Sequence, residues 1–247
     1  MFKGSIVALP TPFRNGEVDD AALRGMVKWQ VSQGTHGLIV LGTTGEAPTM
    51  SDEEHGRVIR TVVQAAAGKV PVMAGAGTNC TKKTIHYAEQ AKDAGADAIL
   101  VVSPYYNKPG QEGLYQHFKS IAAAVDLPLI LYNVPGRTIA DMSNDTALRL
   151  AQLPRVIGIK DATGNIERGC DLLKRAPASF AIYSGDDATA VALMLMGGKG
   201  SISVTSNVAP GLMHAMCAAA LAGDLSTARE LQFRLLGLHR NLFAEAN

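Results

Sequence analysis

The sequence has little of several features that define whole classes of protein. Its 247 residues include three cysteines, Cys80, Cys170 and Cys217. Because they are odd in number, far apart and without the spacing of metal ligands, they predict neither a disulfide framework nor a zinc site. We therefore expect a protein of the reducing cytoplasm that binds no metal.

Excess charge of one sign and long apolar runs are also absent. The chain has 23 basic and 22 acidic residues, a formal net charge of +1, which gives no electrostatic signal for nucleic acid or an anionic membrane. No apolar run approaches membrane-spanning length. The run Ile6–Leu9, soon broken by Pro10 and Pro12, is too short for the core of a signal peptide. We expect a small-molecule substrate and neither a nucleic-acid nor a membrane partner.

Short apolar runs instead alternate with segments of helical periodicity. The composition, 47% hydrophobic and 18% charged, suits one large α/β domain. One helical segment follows a capping box of Ser51 and Glu54 and spaces its apolar residues at helical intervals up to Ala66. The predicted strands are Ser5–Leu9, Gly37–Leu41, Pro71–Gly75, Ala98–Val102, Pro128–Tyr132, Val156–Lys160, Phe180–Ser184 and Gly200–Val204. Eight such units without a linker predict a (β/α)8 barrel.

A doubly wound open sheet is the alternative fold. It is disfavoured because no Gly-x-Gly-x-x-Gly turn follows the first strand, and Gly75–Cys80 lacks the third glycine. We expect a catalytic barrel over residues 1–222 and the start of a C-terminal helical region over residues 223–247. The last helix carries an apolar stripe that needs a covering surface: Leu225, Ala228, Leu231, Leu235, Leu238 and Leu242.

Polar residues follow several predicted strands at their carboxyl ends, where barrels of this type place their active sites. These ends are Gly42–Glu46, Ser103–Asn107, Tyr132–Thr138 and Lys160-Asp161. Each strand end taken alone has a structural explanation that involves no function. Threonine and glycine form turns, a tyrosine near a strand end packs against its neighbours, and an arginine in a loop is usually solvated. Their occurrence at one rim of the same barrel predicts a functional site.

Lys160 ends a short apolar run that is typical of a strand buried on both faces. A lone lysine in this position more often caps the strand in water. An amine that emerges into a cleft is partly desolvated, which favours its neutral form, a nucleophile toward carbonyl carbon. The polar neighbours at the same rim favour the interpretation of Lys160 as a nucleophile over that of a solvated strand cap.

Several segments resemble the signatures of the dihydrodipicolinate synthase / N-acetylneuraminate lyase family of class I aldolases. The likeness extends over essentially the whole chain. Its most specific parts are Gly42–Glu46, Pro104–Asn107, Gln111–Phe118, Tyr132–Thr138, Gly158–Gly164, Ser184–Asp187 and Ser201–Val204.

The resemblance implies a role for each matching residue. Lys160 would form a Schiff base with pyruvate, without a cofactor. Tyr132 would be the general acid/base, and Thr43 would link it to Tyr106, which the neighbouring subunit donates. Thr44 would hold the pyruvate carboxylate. Backbone groups of two further residues would line the pocket, Gly185 and Ile202.

Arg137 separates the branches of the family. Its planar guanidinium suits a carboxylate, and in the synthase branch it binds that of aspartate 4-semialdehyde. The resemblance thus implies condensation of pyruvate with this semialdehyde, on the diaminopimelate route to lysine, by a homotetramer of two dimers. Two alternatives remain: an aldolase of 2-keto-3-deoxy sugar acids, disfavoured by Arg137, and a non-catalytic keto-acid-binding module, disfavoured by the intact Lys160, Tyr132, Thr43 and Tyr106.

The resemblance also implies an allosteric lysine cleft at the dimer interface. Its positions here are Ala47, Asp52, His55, Asn79 and Lys83. Sensitive family members have a glutamate where this chain has Lys83, so attraction for the effector's ammonium group becomes repulsion. We expect little or no inhibition by lysine. Family members usually continue beyond the position of Asn247, so we also expect a chain truncated relative to them.

Overall fold

Eight parallel strands close into a barrel in the computed structural model, which describes residues 2–245. Each strand pairs with its neighbours in the chain, and the last pairs with the first. The strands are β1 Gly4–Ala8, β2 Gly37–Val40, β3 Val72–Gly75, β4 Ala98–Val102, β5 Leu129–Asn133, β6 Val156–Asp161, β7 Ala181–Ser184 and β8 Gly200–Ser203. Closure confirms the predicted (β/α)8 barrel and rules out the open sheet.

Helices connect and surround the strands. They are α1 Asp20–Ser32, α2 Asp52–Ala66, α3 Thr81–Asp93, α4 Gln111–Ala124, α5 Pro135–Thr138, α6 Asn144–Leu150, α7 Ile166–Arg175, α8 Ala190–Leu195, α9 Pro210–Ala222 and α10 Leu225–Asn241. The predicted capping box before α2 is present, because Ser51 and Glu54 each accept a hydrogen bond from the other's backbone N–H. Among the described residues, no helix is both long and apolar enough to cross a membrane.

The core forms two layers that follow from the alternation of side chains along each strand. Inward-facing residues such as Ile6, Ile39 and Tyr183 fill the barrel. Outward-facing residues such as Leu38 and Ile159 pack against the helices. A residue at a strand end therefore faces either the mouth of the barrel or the helix layer, depending on its place in this alternation.

The apolar stripe predicted on α10 is covered only in part. Leu225 and Leu238 are 53% and 39% exposed, whereas Gln232 and His239 are buried beside Ala228. The polar pair can be buried because both side chains find partners. Gln232 donates to the carbonyl oxygens of residues 187 and 188 at 3.2 and 3.1 Å. His239 Nδ1 lies 2.8 Å from the hydroxyl of residue 205.

These contacts attach α10 to the carboxyl end of the barrel. The Asp187 carboxylate, 2% exposed, accepts hydrogen bonds from the backbone N–H groups of Val204 and Thr205 at 3.0 and 2.9 Å. The last helix therefore packs beside the turn that follows β8. The final two residues of the predicted 223–247 region, Ala246 and Asn247, lie outside the described part of the chain.

Candidate active site

A cleft of about 420 Å³ opens at the carboxyl ends of the strands. Six residues predicted from the sequence line it: Thr43, Thr44, Tyr132, Arg137, Lys160 and Gly185. The lining also includes residues that were not predicted to have a role in the site: Val134, Ala162, Asp186, Val204, Leu242, Phe243 and Glu245. The ends of five strands (β2, β5, β6, β7 and β8) and the end of α10 thus meet around one space.

Lys160 and Tyr132 form the floor of this cleft. They are register partners on the adjacent strands β6 and β5, so the same alternation points both side chains into the barrel. Their exposures are 7% and 6%, and Lys160 Nζ lies 4.2 Å from the centroid of the Tyr132 ring. The arrangement places one largely buried amine beside one largely buried phenol at the bottom of the cleft.

Gly185 makes room for the lysine side chain. A Cβ atom at this position would lie 2.8 Å from Lys160 Cε and 2.7 Å from Ala162 Cβ, closer than real Cβ atoms approach other atoms. The Gly185 N–H donates to the carbonyl oxygen of Asp161 at 2.7 Å, which fixes the backbone beside the lysine. Any larger residue would displace the stem of Lys160.

The threonine pair belongs to a single turn of 3-10 helix, Thr43–Gly45, directly after β2. The turn is closed by hydrogen bonds from Gly45 N–H to Gly42 O at 3.0 Å and from Glu46 N–H to Thr43 O at 3.1 Å. The Thr11 hydroxyl donates to Gly45 O at 2.7 Å. Both threonines are therefore held against the cleft by a braced backbone.

Arg137 lies in the short helix α5 at the rim. The Thr138 hydroxyl closes this turn by donating to Ala140 O at 2.8 Å. Ile139 follows with φ of +61°, which is unusual for a β-branched residue. Such backbone conformations cost on the order of 1–3 kcal/mol and persist only where the surroundings hold them. The position of Arg137 thus depends on how the next residues are anchored.

Two predicted site residues lie away from this lining. Ile202 is 1% exposed in β8 and belongs to the core of the barrel. Tyr106 has φ of +69°, is 92% exposed and is not part of the cleft as residues 2–245 define it. Within one chain its phenol therefore faces solvent.

Comparison with known proteins agrees with this geometry. The model of the dihydrodipicolinate synthetase family matches residues 1–247. The chain belongs to this family. It is 60% identical to the 4-hydroxy-tetrahydrodipicolinate synthase of Azoarcus sp. (strain BH72) and 61% identical to that of Nitrosomonas europaea, covering 100% of this chain and 85% of each relative.

A solved structure of the same family shows the same fold. The chloride-inhibited dihydrodipicolinate synthase from Acinetobacter baumannii, complexed with pyruvate, superposes with a TM-score of 0.98 at 52% identity. The match covers 100% of this chain and 85% of that one. The family resemblance inferred from the sequence motifs is thereby confirmed.

A second cleft of about 300 Å³ adjoins the first. Four of the five predicted allosteric positions line it: Ala47, His55, Asn79 and Lys83. The ring of Tyr87 forms one wall, with His55 stacked on it at 4.2 Å between centroids and Lys83 Nζ 5.2 Å from its centroid. Burial lowers the pKa of His55.

Asp52, the fifth position, is not part of this lining. Its carboxylate accepts a hydrogen bond from the Tyr87 hydroxyl at 2.8 Å and lies 3.2 Å from His86 Nε2. The Tyr87 hydrogen bond is the main reason that the pKa of Asp52 is lowered. Asp52 is therefore hydrogen-bonded to Tyr87 outside the lining, whereas Lys83 lines the cleft and brings positive charge to it.

A layer of polar residues lies behind the site, and it contains Asn133 and Asp161, which the sequence predicted at the rim. Asn133 and Asp161 follow Tyr132 and Lys160 directly, so the alternation turns them outward, toward the helices. Both are buried. Burial raises the pKa of Asp161, while the Thr163 N–H and the charge of Arg168 act in the opposite direction. The signal was available, because a polar residue on the outer face of a buried strand needs a partner.

Proposed function

We propose that this chain condenses pyruvate with L-aspartate 4-semialdehyde to 4-hydroxy-tetrahydrodipicolinate, a step in the diaminopimelate route to lysine. One observation carries the proposal: the buried amine of Lys160 lies 4.2 Å from the ring of Tyr132, at the floor of a cleft whose rim holds Arg137. The names of the relatives and the pyruvate bound to the Acinetobacter baumannii enzyme support it.

The first half of the reaction takes place on Lys160. Its amine attacks the ketone carbon of pyruvate, and Tyr132 protonates the carbinolamine oxygen so that water leaves and an imine remains. Thr44 holds the pyruvate carboxylate. Loss of a proton from the methyl group then gives an enamine, whose terminal carbon is the nucleophile. The protonated imine accepts the electron pair that a cofactor or metal would otherwise have to take.

The second half adds the semialdehyde. Arg137 binds its carboxylate, and the enamine carbon attacks the aldehyde carbon to form the new carbon–carbon bond. The aldehyde oxygen takes a proton and becomes the hydroxyl group, and the imine to Lys160 is restored. The amine of the semialdehyde then attacks the imine carbon. This attack closes the ring and breaks the bond to Lys160, which returns as a free amine.

The complete site requires a second subunit in this proposal. Tyr106 is 92% exposed and stands apart from the cleft of its own chain, as expected for a side chain that enters a neighbour's site. Thr43 would connect it to Tyr132 across the interface. We infer a homotetramer of two dimers. The free cysteines Cys80, Cys170 and Cys217 support a reducing cytoplasm as its compartment.

The decisive experiment compares two steps in an Arg137→Ala variant. Trapping of the pyruvate imine by borohydride should persist, while the KM for the semialdehyde rises, because Arg137 contacts the second substrate. Arg149→Ala is the control, since Arg149 pairs with Glu112 on the outer surface at 3.0 Å. Parallel loss of trapping and condensation in Arg137→Ala would make the arginine structural. Cleavage of a 2-keto-3-deoxy sugar acid without condensation would assign the sugar-acid reaction instead.

A further inference from the structure

Arg168, at the start of α7, binds two parts of the chain behind the active site. Its side chain is 15% exposed. Nη1 donates to both carboxylate oxygens of Asp141, at 3.1 and 3.3 Å, and Nη2 donates to the carbonyl oxygen of Met142. Nε lies 3.4 Å from the carboxylate of Asp161, an ion pair without a hydrogen bond. One guanidinium thus joins the end of β6 to residues 141 and 142.

Residues 139–142 connect the turn that carries Arg137 to helix α6. The segment begins at Ile139, which is 65% exposed, so packing of its side chain contributes little to holding its φ of +61°. The anchors lie further along. The Met142 N–H donates to Asn133 Oδ1 at 2.9 Å, and Asn133 Nδ2 donates to Asp141 Oδ1 at 2.8 Å. The segment is therefore held by β5, which carries Tyr132, by Arg168, and by Gln111 of α4, whose Nε2 donates to Asp141 O at 2.8 Å.

Charge makes Arg168 the central member of this group. The side chain of Asp161 is only 4% exposed, and its negative charge is repelled by the negative charge of Asp141. Arg168 lies against both carboxylates. Without its positive charge, the buried carboxylate would lack its ion pair and would repel the segment that carries Asp141. Removal of Arg168 should therefore displace residues 139–142, and Arg137 with them.

We propose that Arg168 is a positioning residue for the second substrate: it keeps Arg137 at the rim by clamping residues 139–142 to the end of β6. Arg168 lies outside the described lining of the cleft, so it acts through Arg137 rather than on substrate. This inference rests on the proposed function, in which Arg137 binds the semialdehyde carboxylate. Pyruvate binding and imine formation use Lys160 and Thr44 and should be affected far less.

The test compares Arg168→Met and Arg168→Lys with Arg175→Met. Arg175 is a matched control about two helical turns further along α7, paired with Asp145 and Asp171 on the exposed surface. Arg168→Met should raise the KM for the semialdehyde roughly tenfold, while the pyruvate KM and imine trapping change by less than about threefold. Arg168→Lys should recover part of the lost affinity for the semialdehyde, because lysine restores the positive charge but not the second guanidinium nitrogen, which donates to the carbonyl oxygen of Met142. Arg175→Met should match the unmodified enzyme.

A further variant keeps the proposal testable if Arg168→Met does not fold. Asp141→Asn alters an acceptor that is 52% exposed, and it should raise the semialdehyde KM by about two- to fivefold. An unchanged semialdehyde KM in the folded variants would overturn the positioning role. So would an equal loss of trapping and condensation, which indicates general damage. If the unmodified enzyme traps pyruvate but does not condense it with the semialdehyde, the proposed function fails first, and the positioning role falls with it.

Discussion

Lys160 Nζ lies 4.2 Å from the centroid of the Tyr132 ring, on the neighbouring strand and in register with it. Tyr132→Phe keeps this ring contact and removes only the hydroxyl. If the phenol transfers protons to and from the carbinolamine, turnover should fall by about 10²- to 10⁴-fold. Steady-state rates of the variant measure the loss of turnover, and thermal unfolding separately measures any change in stability.

Tyr183 offers a matched control for this substitution. It is the register partner of Lys160 on the other side, in β7, but its hydroxyl donates to the carbonyl oxygen of Phe2 at 2.9 Å inside the barrel. Tyr183→Phe should lower the free energy of unfolding by about 1 kcal/mol with turnover within about twofold of the original. Equal losses of turnover in both variants would remove the special role of Tyr132.

The second prediction concerns Tyr106 and the assembly. Because the proposed relay crosses an interface, the active species should be at least a dimer at assay concentration. Tyr106→Phe should lower turnover without changing the oligomeric state, since only a hydroxyl is lost. Sedimentation of the active enzyme, together with rates for the variant, tests both statements. A fully active monomer would contradict the shared site.

The barrel could be predicted from local patterns because each pattern has a local cause. Buried parallel strands are short and continuously apolar, and α2 begins at a capping box. Each predicted strand boundary therefore agreed closely with the structure. The helix α10 differed because a periodic pattern does not show that buried Gln232 and His239 will find loop partners.

The site could be predicted in part. Strand-end residues such as Lys160 and Tyr132 could be assigned to one rim, because all parallel strands end there. The partners of the polar residues behind them could not be predicted, because Arg168 contacts Asp141 across 27 residues of sequence, and no periodicity encodes such a contact. The roles of the individual side chains came from the family resemblance, and variants of Lys160, Tyr132, Tyr106 and Arg137 test them.

The third prediction is weak or absent inhibition by lysine. Lys83 brings positive charge to the second cleft, and Asp52 is already bonded to Tyr87. An exposed charge pair contributes up to about 1 kcal/mol, so exchanging repulsion for attraction in Lys83→Glu should tighten lysine inhibition by about tenfold or more. Initial rates against lysine concentration at saturating pyruvate give the comparison.

Lys82→Glu is the control for the lysine experiment, since Lys82 is an exposed neighbour outside the described lining of that cleft. It makes the same change in net charge. Strong inhibition of the unmodified enzyme at low lysine concentration would contradict the prediction. Equal gains in the two variants would show that only net charge matters.

The fourth prediction is acid sensitivity through His117. Burial lowers the pKa of His117 to about 4, and its Nδ1 lies 2.9 Å from the Thr81 hydroxyl. The unfolded chain, with an ordinary histidine pKa of about 6.5, binds more protons between these two values. The free energy of unfolding should therefore fall as the pH falls from about 6.5 to about 4, by up to roughly 1.4 kcal/mol per pH unit from this residue.

His117→Asn retains a polar partner for Thr81 and cannot titrate, so it should flatten this dependence. The slope should not vanish, because burial also lowers the pKa of His36, His55 and His239. Denaturant unfolding at a series of pH values from 4 to 8 measures the slope. Identical slopes in the two proteins would mean that His117 is protonated in the folded state at higher pH than its burial implies.

The most direct test of the central claim is the site of the covalent imine. The protein, incubated with pyruvate and borohydride and then digested, should carry the mass of one reduced pyruvyl group on the peptide that contains Lys160. A folded Lys160→Ala protein should remain unlabelled under the same conditions. Labelling of a different lysine, or no label on the folded unmodified protein, would contradict the account.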